Sequence, residues 1–145
     1  MGTNYETDVV AWANEQAALL RSGQFSAIDI ENIAEEILDV GKSEQRELES
    51  RMAVLLVHFL KWQFQPERRG SSWETTIQGQ RNSIKRRIQK TPSLKASLAD
   101  ADWWCDAWID GLVLAERETL LNDLPKTCPW SVEEILSEDW LPAGR

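Results

Sequence analysis

The 145-residue sequence predicts an all-α fold, namely a single-domain bundle of four to five helices. Period-two alternation of apolar and polar residues is absent, whereas apolar residues recur every three or four positions along most of the chain. Capping-box signals of the Ser-x-x-Glu type occur at Ser71 and Ser131. Hydrophobic residues make up 42% of the chain and charged residues 28%, which is typical of a globular protein.

The first helix is expected from about Asn4 to Ser22. Thr3 and Glu6 have the spacing of a capping box at its start, and Gly23 is placed to end it. Its apolar stripe includes Trp12 and continues to the end of the helix at three- and four-residue spacing.

The second helix is expected to begin near Ala27 and to end before Pro66. Its apolar stripe keeps its phase through Gly41, which predicts one long helix with a kink point at this glycine. Glycine inside a helix costs about 1 kcal/mol relative to alanine. We therefore expect Gly41 to lie on a buried side, where another backbone approaches closely.

Three further helices follow. One is expected from Ser72 to Lys90, one from about Pro92 to Leu121, and a short one from Ser131 to Ser137. The fourth is apolar on two sides, which predicts that it is the central helix of the bundle. On this helix Cys105 is expected to be a small core residue, and Trp103 is expected to be buried within the monomer.

The net charge of −8 is unevenly distributed. The segment from Lys61 to Lys95 contains nine basic and two acidic residues, so it carries +7 while the rest of the chain carries −15. We expect Arg81, Lys85 and Arg86 to project away from the apolar stripe of the third helix and to be neutralised by carboxylates of neighbouring helices rather than by nucleic acid. The expected carboxylates are Glu44, Glu47, Glu49, Asp100, Asp102, Asp106 and Asp110.

The tract around the turn between helices two and three is the best candidate binding site. Guanidinium groups bind oxyanions through two parallel hydrogen bonds, and arginine and tryptophan are common interface residues. The alternative is a turn held by Arg–carboxylate pairs and tryptophan packing. The candidate binding residues are His58, Lys61, Gln65, Arg68, Arg69, Trp73 and Arg81.

Several phrases of the sequence together resemble the bacterial domain-of-unknown-function family 29. They are Tyr5-Glu6-Thr7-Asp8, Asp29-Ile30-Glu31-Asn32, Gly41-Lys42-Ser43-Glu44, His58-Phe59-Leu60-Lys61-Trp62, Gln65-Pro66-Glu67-Arg68-Arg69 and Cys128-Pro129-Trp130. The resemblance covers nearly the whole chain and implies an α-helical domain. The family has no assigned activity, substrate or catalytic residues, so the resemblance implies no functional site.

The sequence contains residues for two kinds of enzyme site, a metal centre and a catalytic thiol. Glu31, Glu35 and His58, with Asp8 from the first helix, could ligate a metal, but the Glu-x-x-His spacing of di-iron bundles is missing. The simpler interpretation of His58 is a boundary histidine that hydrogen-bonds a neighbour. A catalytic thiol at one of the two cysteines would have to use this same histidine, the only one in the chain.

The sequence thus favours a non-enzymatic binding or protein-interaction module. The alternatives are an enzyme or metal protein that uses His58 with carboxylates, and an anion or nucleic-acid binder that uses the basic segment 61–95. We expect an acidic, tryptophan-rich bacterial protein, without cofactor, acting as a monomer or small homo-oligomer with an unknown protein partner. Two widely spaced cysteines, no secretory signal and no long apolar run favour the cytoplasm and no membrane contact.

Overall fold

The computed structural model describes residues 2–143, and within this range it contains α-helices and short 3-10 turns but no strand. The prediction of an all-α fold is therefore confirmed. The six α-helices are α1 (Val9–Arg21), α2 (Ile30–Phe64), α3 (Ser71–Lys90), α4 (Lys95–Leu98), α5 (Ala101–Thr119) and α6 (Val132–Leu136). Packing divides the chain into two compact units: the first extends to Ser43, and the second begins at Glu44.

Helix α1 begins five residues later than expected. The Asp8 carboxylate accepts a hydrogen bond from the Ala11 amide at 3.0 Å, so this aspartate is the N-cap. Thr3 does not form a capping box with Glu6, because its amide donates instead to the Glu15 carboxylate at 3.1 Å. The expected start at Asn4 is therefore wrong, and the preceding residues fold back along the helix.

The first unit is a helical hairpin made of α1 and the first half of α2. The Trp12 indole Nε1 donates to the Asp29 carboxylate at 2.9 Å, and the Asp29 amide donates to Gln16 Oε1 at 2.7 Å. Hydrogen bonds from Asn32 and Trp12 lower the pKa of Asp29. Tyr5 packs edge-on against Trp12, with ring centroids 4.7 Å apart, and its hydroxyl donates to Glu36. These partly buried polar contacts join the two helices of the hairpin.

Helix α2 is continuous for 35 residues and passes through Gly41, as predicted. The expectation that Gly41 is buried is wrong: the residue is exposed, and nothing lies within 4 Å of the position of an added Cβ. The close approach occurs at Gly111 of α5. There an added Cβ would lie 3.3 Å from the carbonyl oxygen of Ala53 and 3.4 Å from Cβ of Leu56.

Alanine at position 41 is therefore expected to stabilise the protein. Gly41→Ala should gain up to about 1 kcal/mol, because alanine is the better helix former and meets no neighbour. Gly111→Leu is the contrasting change, and overpacking should make it cost roughly 1–3 kcal/mol. Thermal unfolding followed by far-ultraviolet circular dichroism measures both changes. No gain for Gly41→Ala would contradict the exposed helical position.

The core of the second unit surrounds the second half of α2. Eight residues of α2 from Leu48 to Leu60 are buried, and together they cover more than half of the helix circumference. Helix α3 covers this segment with Ile77, Ile84 and Ile88, while α5 contributes a second set of buried residues. The most enclosed helix is thus the second half of α2, and not the predicted fourth helix.

The fourth helix predicted from Pro92 to Leu121 is wrong as one element. The chain instead forms a 3-10 turn, the single turn α4 and then α5, and Asp100 begins α5 by accepting a hydrogen bond from the Asp102 amide at 2.9 Å. The buried residues of α5 lie on a face that does not include Cys105. Cys105 is exposed rather than in the core, so that expectation is wrong, whereas Trp103 is buried as predicted.

The two capping boxes predicted at Ser71 and Ser131 have different outcomes. Ser131 forms a complete capping box with Glu134 at the start of α6, as predicted. Ser71 does not form one, because it is already the first residue of α3 and Gly70 takes the capping position without a side-chain bond. The bounds of α3 itself agree with the prediction to within one residue.

Candidate functional site

The charged groups of the predicted binding tract are largely engaged in structural contacts. Lys61 Nζ lies 2.8 Å from the Glu118 carboxylate and 5.2 Å from the centroid of the Trp73 ring. Arg69 Nε donates to the carbonyl of Trp62 at 2.6 Å, and its guanidinium lies 5.2 Å from the Trp62 ring. The contacts of Trp62 and Trp73 agree with the tryptophan packing of the alternative stated above, but the carboxylate pair of the tract uses a lysine, and Arg69 bonds a carbonyl instead of a carboxylate.

Three other members of the tract take different positions. His58 is half-buried on α2, and its Nδ1 hydrogen-bonds the Val54 carbonyl at 2.8 Å. Burial lowers the pKa of His58, which keeps the ring neutral at pH 7. Gln65 is half-buried before the turn, and Arg68 is exposed to solvent.

Arg81 is the member whose position differs most from the prediction. It does not project away from the stripe of α3 but lies fully buried on it, at 0% exposure. Its Nε, Nη1 and Nη2 donate to the carbonyls of Ile135, Glu138 and Trp140, each at 2.8 Å. The guanidinium also lies 5.4 Å from the Phe59 ring. Burial lowers the pKa of Arg81, and the carboxylates of Asp139 and Glu138 oppose this shift. Arg81 thus fastens the C-terminal segment to α3.

The basic segment is neutralised by carboxylates at two positions among the described residues. Lys61 pairs with Glu118, and Arg87 lies 3.8 Å from Glu44 and 3.3 Å from Glu47. Glu44 and Glu47 of α2 thus pair with Arg87, whereas none of the three basic residues named in the prediction, Arg81, Lys85 and Arg86, forms an ion pair among the described residues. The four expected aspartates of the 100–110 region take part in no ion pair within the described part of the chain, so that part of the prediction is wrong.

Glu49 has an acidic neighbour instead of a basic one. Burial and a hydrogen bond with Asp110 raise the pKa of Glu49 to about 7, and the charge of Asp106 acts in the same direction. Glu49 thus faces two carboxylates and not the basic partner that the sequence analysis expected.

Replacing Glu49 should change how stability depends on pH. The pKa of Glu49 in the folded protein, about 7, lies above its ordinary value of 4.5, so the folded state binds the proton more tightly than the unfolded state. The resulting contribution to the free energy of unfolding is fully present below pH 4.5 and is lost as the pH rises through 7. Glu49→Gln is expected to be more stable relative to the wild type at pH 8 than at pH 5. Urea unfolding at both values measures the difference, and Glu35→Gln controls for the loss of one exposed negative charge.

The two thiols lack the surroundings of a nucleophile. Burial raises the pKa of Cys128, whose half-buried Sγ lies 3.5 Å from the Trp130 carbonyl, so it remains a thiol at neutral pH. Cys105 is exposed on α5. Within residues 2–143 no group of three or more His, Cys, Asp or Glu side chains is arranged to hold a metal ion.

A cluster of cations lines a groove of about 370 Å³ near the end of α3. Arg86, Arg87 and Lys90 form one side of it, and Glu44 forms part of the other. Cations in the last turn of a helix also interact favourably with the helix dipole. The groove therefore has a structural explanation that requires no anionic ligand.

Most of the large hydrophobic side chains that are exposed in the described chain belong to the helical hairpin of the first unit. Eight of the eleven large hydrophobic residues that are exposed in the described chain occur there. Among them are Ile37 at 66% exposure, Val40 at 69% and Leu20 at 41%. We call the depression between the two helices the hairpin groove; it has a volume of about 290 Å³. Its lining residues are Trp12, Ala13, Gln16, Ala17, Leu20, Ile33, Glu36, Ile37 and Val40.

Sequence reasoning missed the hairpin groove because its residues have the pattern of a core. The apolar stripes of the first two predicted helices, which include Trp12, Ile33 and Ile37, predict contact with other helices. One signal was available: apolar residues also occupy the flanks of both stripes, at Val10 and Leu38, so each stripe is wider than one neighbouring helix can cover.

The fold and this surface define an all-α protein with an open apolar groove on a helical hairpin. The chain belongs to the family described as domain of unknown function DUF29, whose model matches residues 4–141. This match confirms the resemblance seen in the sequence. No curated protein and no solved structure gives a significant match. Of the described helices, none combines the length and the apolarity that crossing a membrane requires.

Proposed function

We propose that this protein is a non-enzymatic protein-interaction module, and that its hairpin groove binds an amphipathic helix of a partner protein. The observation that carries the proposal is the concentration of exposed apolar side chains on one 43-residue unit. Single exposed hydrophobic residues are ordinary, whereas contiguous apolar patches mark binding surfaces. A groove between two helices has the shape that accepts a third helix.

The lining of the groove suits a helix as the ligand. Ala13 and Ala17 occupy consecutive turns of α1 and leave room for a backbone to approach, while Leu20 and Ile37 provide larger apolar contacts. Glu36 is the one charged residue of the lining, and its carboxylate already accepts the Tyr5 hydroxyl. A helix that presents apolar residues at positions i, i+3, i+4 and i+7 would therefore meet few unpaired polar groups.

The second unit supports a structural role for the other candidate residues. Arg81, Arg69 and Lys61 each contact carbonyls, aromatic rings or a carboxylate of the same chain. An enzyme or metal protein centred on His58 would need convergent partners, and this ring bonds a carbonyl of its own helix. These contacts favour the interaction module over both alternatives.

A labelled peptide tests the proposal. The probe is an 18-residue, end-blocked fluorescein peptide with leucine at i, i+3, i+4 and i+7 and glutamine or serine elsewhere, whose binding is followed by anisotropy. Ile37→Glu should weaken binding at least about tenfold, since a carboxylate would be placed in the apolar contact. The matched control is Ile109→Glu, which alters another exposed isoleucine, on α5. Equal binding by the wild type and both variants would overturn the proposal.

A further inference from the structure

We infer that the partner is a second copy of this chain, and that helix α2 of each copy lies in the hairpin groove of the other. This inference rests on the proposed function and identifies the helix that the groove binds. Such a contact uses the same surface on both chains, as in other two-fold symmetric dimers. The apolar pattern of α2, the extent of the apolar surface and the small core of the first unit all point to this occupant.

Helix α2 presents the apolar pattern that the groove accepts. Ile30, Ile33, Ala34 and Ile37 occupy positions i, i+3, i+4 and i+7, so they form one stripe along the helix. Ile30 is 64% exposed and Ile37 is 66% exposed, and Ala34 is exposed as well. Most of this stripe therefore has no neighbour within its own chain. The chain thus contains both the groove and a helix of the kind that the groove binds.

The apolar surface extends beyond the groove on the side of α2. Ile30 and Ala34 belong to the same stripe as Ile37 but not to the groove lining. A single helix bound in the groove would leave them exposed. A second hairpin is two helices wide, so when its α2 lies in the groove, its α1 covers these two residues. The exposed Val9 and Leu20 of that α1 would supply the apolar contacts.

The size of this surface agrees with a dimer. It extends from Val9 to Leu20 along α1 and is two helices wide, which corresponds to about 18 Å by about 20 Å. The relief of the side chains makes the accessible area larger than this projection, so two such surfaces bury on the order of 1,000 Å², where specific interfaces begin. One helix in one groove would bury roughly half as much.

The first unit does not close a core of its own. Of residues 2–43, only Trp12 and Gln16 are buried. Units of about 40 residues usually need disulfides, metal ions or oligomerisation to be stable. This unit contains no cysteine, and residues 2–143 hold no group of side chains arranged to bind a metal ion. Oligomerisation is the means that remains, and a second copy is present wherever the chain is made.

The charges of the first unit lie outside the proposed contact. Residues up to Ser43 include eight acidic and two basic side chains, a net charge of −6. The α2 stripe carries none of them, and Glu36 is the one charged residue of the groove lining, where its carboxylate accepts the Tyr5 hydroxyl. The two copies therefore repel each other only over longer distances, so salt that screens this repulsion should strengthen the dimer.

Sedimentation equilibrium of the full chain measures the association. We expect a dimer with a dissociation constant below about 100 μM, and tighter association near 1 M salt, where the Debye length falls to about 3 Å. Ile37→Glu should weaken the dimer at least about 100-fold, because a two-fold dimer contains the substitution twice. The matched control is Ile109→Glu on α5, which alters another exposed isoleucine and should leave the dimer unchanged.

Ile30→Glu separates the helix that enters the groove from the groove itself. Ile30 lies on the α2 stripe but not in the groove lining. This variant should therefore weaken the dimer about as much as Ile37→Glu. It should still bind the leucine peptide described above, because the groove is unaltered and no second copy occupies it. Both residues are exposed, so the far-ultraviolet circular dichroism of each variant should match that of the wild type.

The outcomes separate this inference from the proposed function. A chain that stays monomeric up to about 500 μM, yet binds the peptide through the groove, would overturn the inference and leave the proposed function intact. A dimer that Ile109→Glu weakens as much as Ile37→Glu does would use another surface and would also overturn the inference. If neither a dimer nor peptide binding is found, both are wrong.

Discussion

Arg81→Ala is expected to destabilise the second unit by about 3–5 kcal/mol. The substitution removes three hydrogen bonds: the carbonyls of Ile135 and Trp140 lose the Arg81 donor, and that of Glu138 keeps only the bond from Gln78. An unsatisfied buried polar group costs about 1–3 kcal/mol. It also opens a cavity beside Phe59, over which the guanidinium lies. Ile135 belongs to the last turn of α6, so the loss also leaves that helix end uncapped.

Urea unfolding followed by tryptophan fluorescence measures this effect, because seven of the eight tryptophans belong to the second unit. Arg86→Ala is the matched control, since this neighbouring arginine of α3 is exposed and makes no hydrogen bond or ion pair among the described residues. Arg81→Lys should recover only part of the stability, because an ammonium group cannot reproduce the planar arrangement of three donors. Equal stability of Arg81→Ala and Arg86→Ala would contradict the assigned role of Arg81.

Trp103→Ala is expected to cost about 3–5 kcal/mol, the usual range for removing a large buried aromatic side chain. Trp103 is 8% exposed, and its indole Nε1 donates to the Gln45 carbonyl of α2 at 3.2 Å. Its ring packs edge-on against Trp104, with centroids 5.3 Å apart. The substitution therefore removes apolar contact, one aromatic pair and one hydrogen bond between α5 and α2.

Two measurements on the same variant check the position of this residue. Urea unfolding should show the loss of stability, and sedimentation should show no change in association state. Trp103→Phe is the matched control and should cost less, because it keeps an aromatic ring and loses only the indole donor and some volume. Unchanged stability together with weaker self-association would mean that Trp103 is an exposed contact residue.

Local sequence signals determined much of the helical framework. The unbroken stripe through Gly41 predicted α2 as one helix, because a stripe that keeps its phase records the period of the helix itself. Ser131 and Glu134 predicted the start of α6, since both partners of a capping box lie within four residues. The same spacing misled at Ser71, which lies inside α3 and not before it.

Predictions from local sequence signals were wrong where one residue type suits two different positions in a helix. Asp100 fits the surface of a long helix as well as the start of a new one, and the stripe on both sides of it concealed the break. Gly41 has the helix-interior position of a packed glycine, yet the close approach occurs at Gly111, where α2 and α5 come together. In both places the missing information was the location of a second chain segment.

Only the tertiary structure decided the functional surfaces. The polarity of Arg81 placed it on the outside by any sequence rule, and the carbonyls that allow its burial lie 54 to 59 residues further along the chain. The hairpin groove is the opposite case, because Ile37 and Leu20 have a core pattern and remain exposed. An apolar stripe has the same sequence whether or not another helix covers it. Its burial depends on how many segments pack around it, and the fold of the whole chain sets that number.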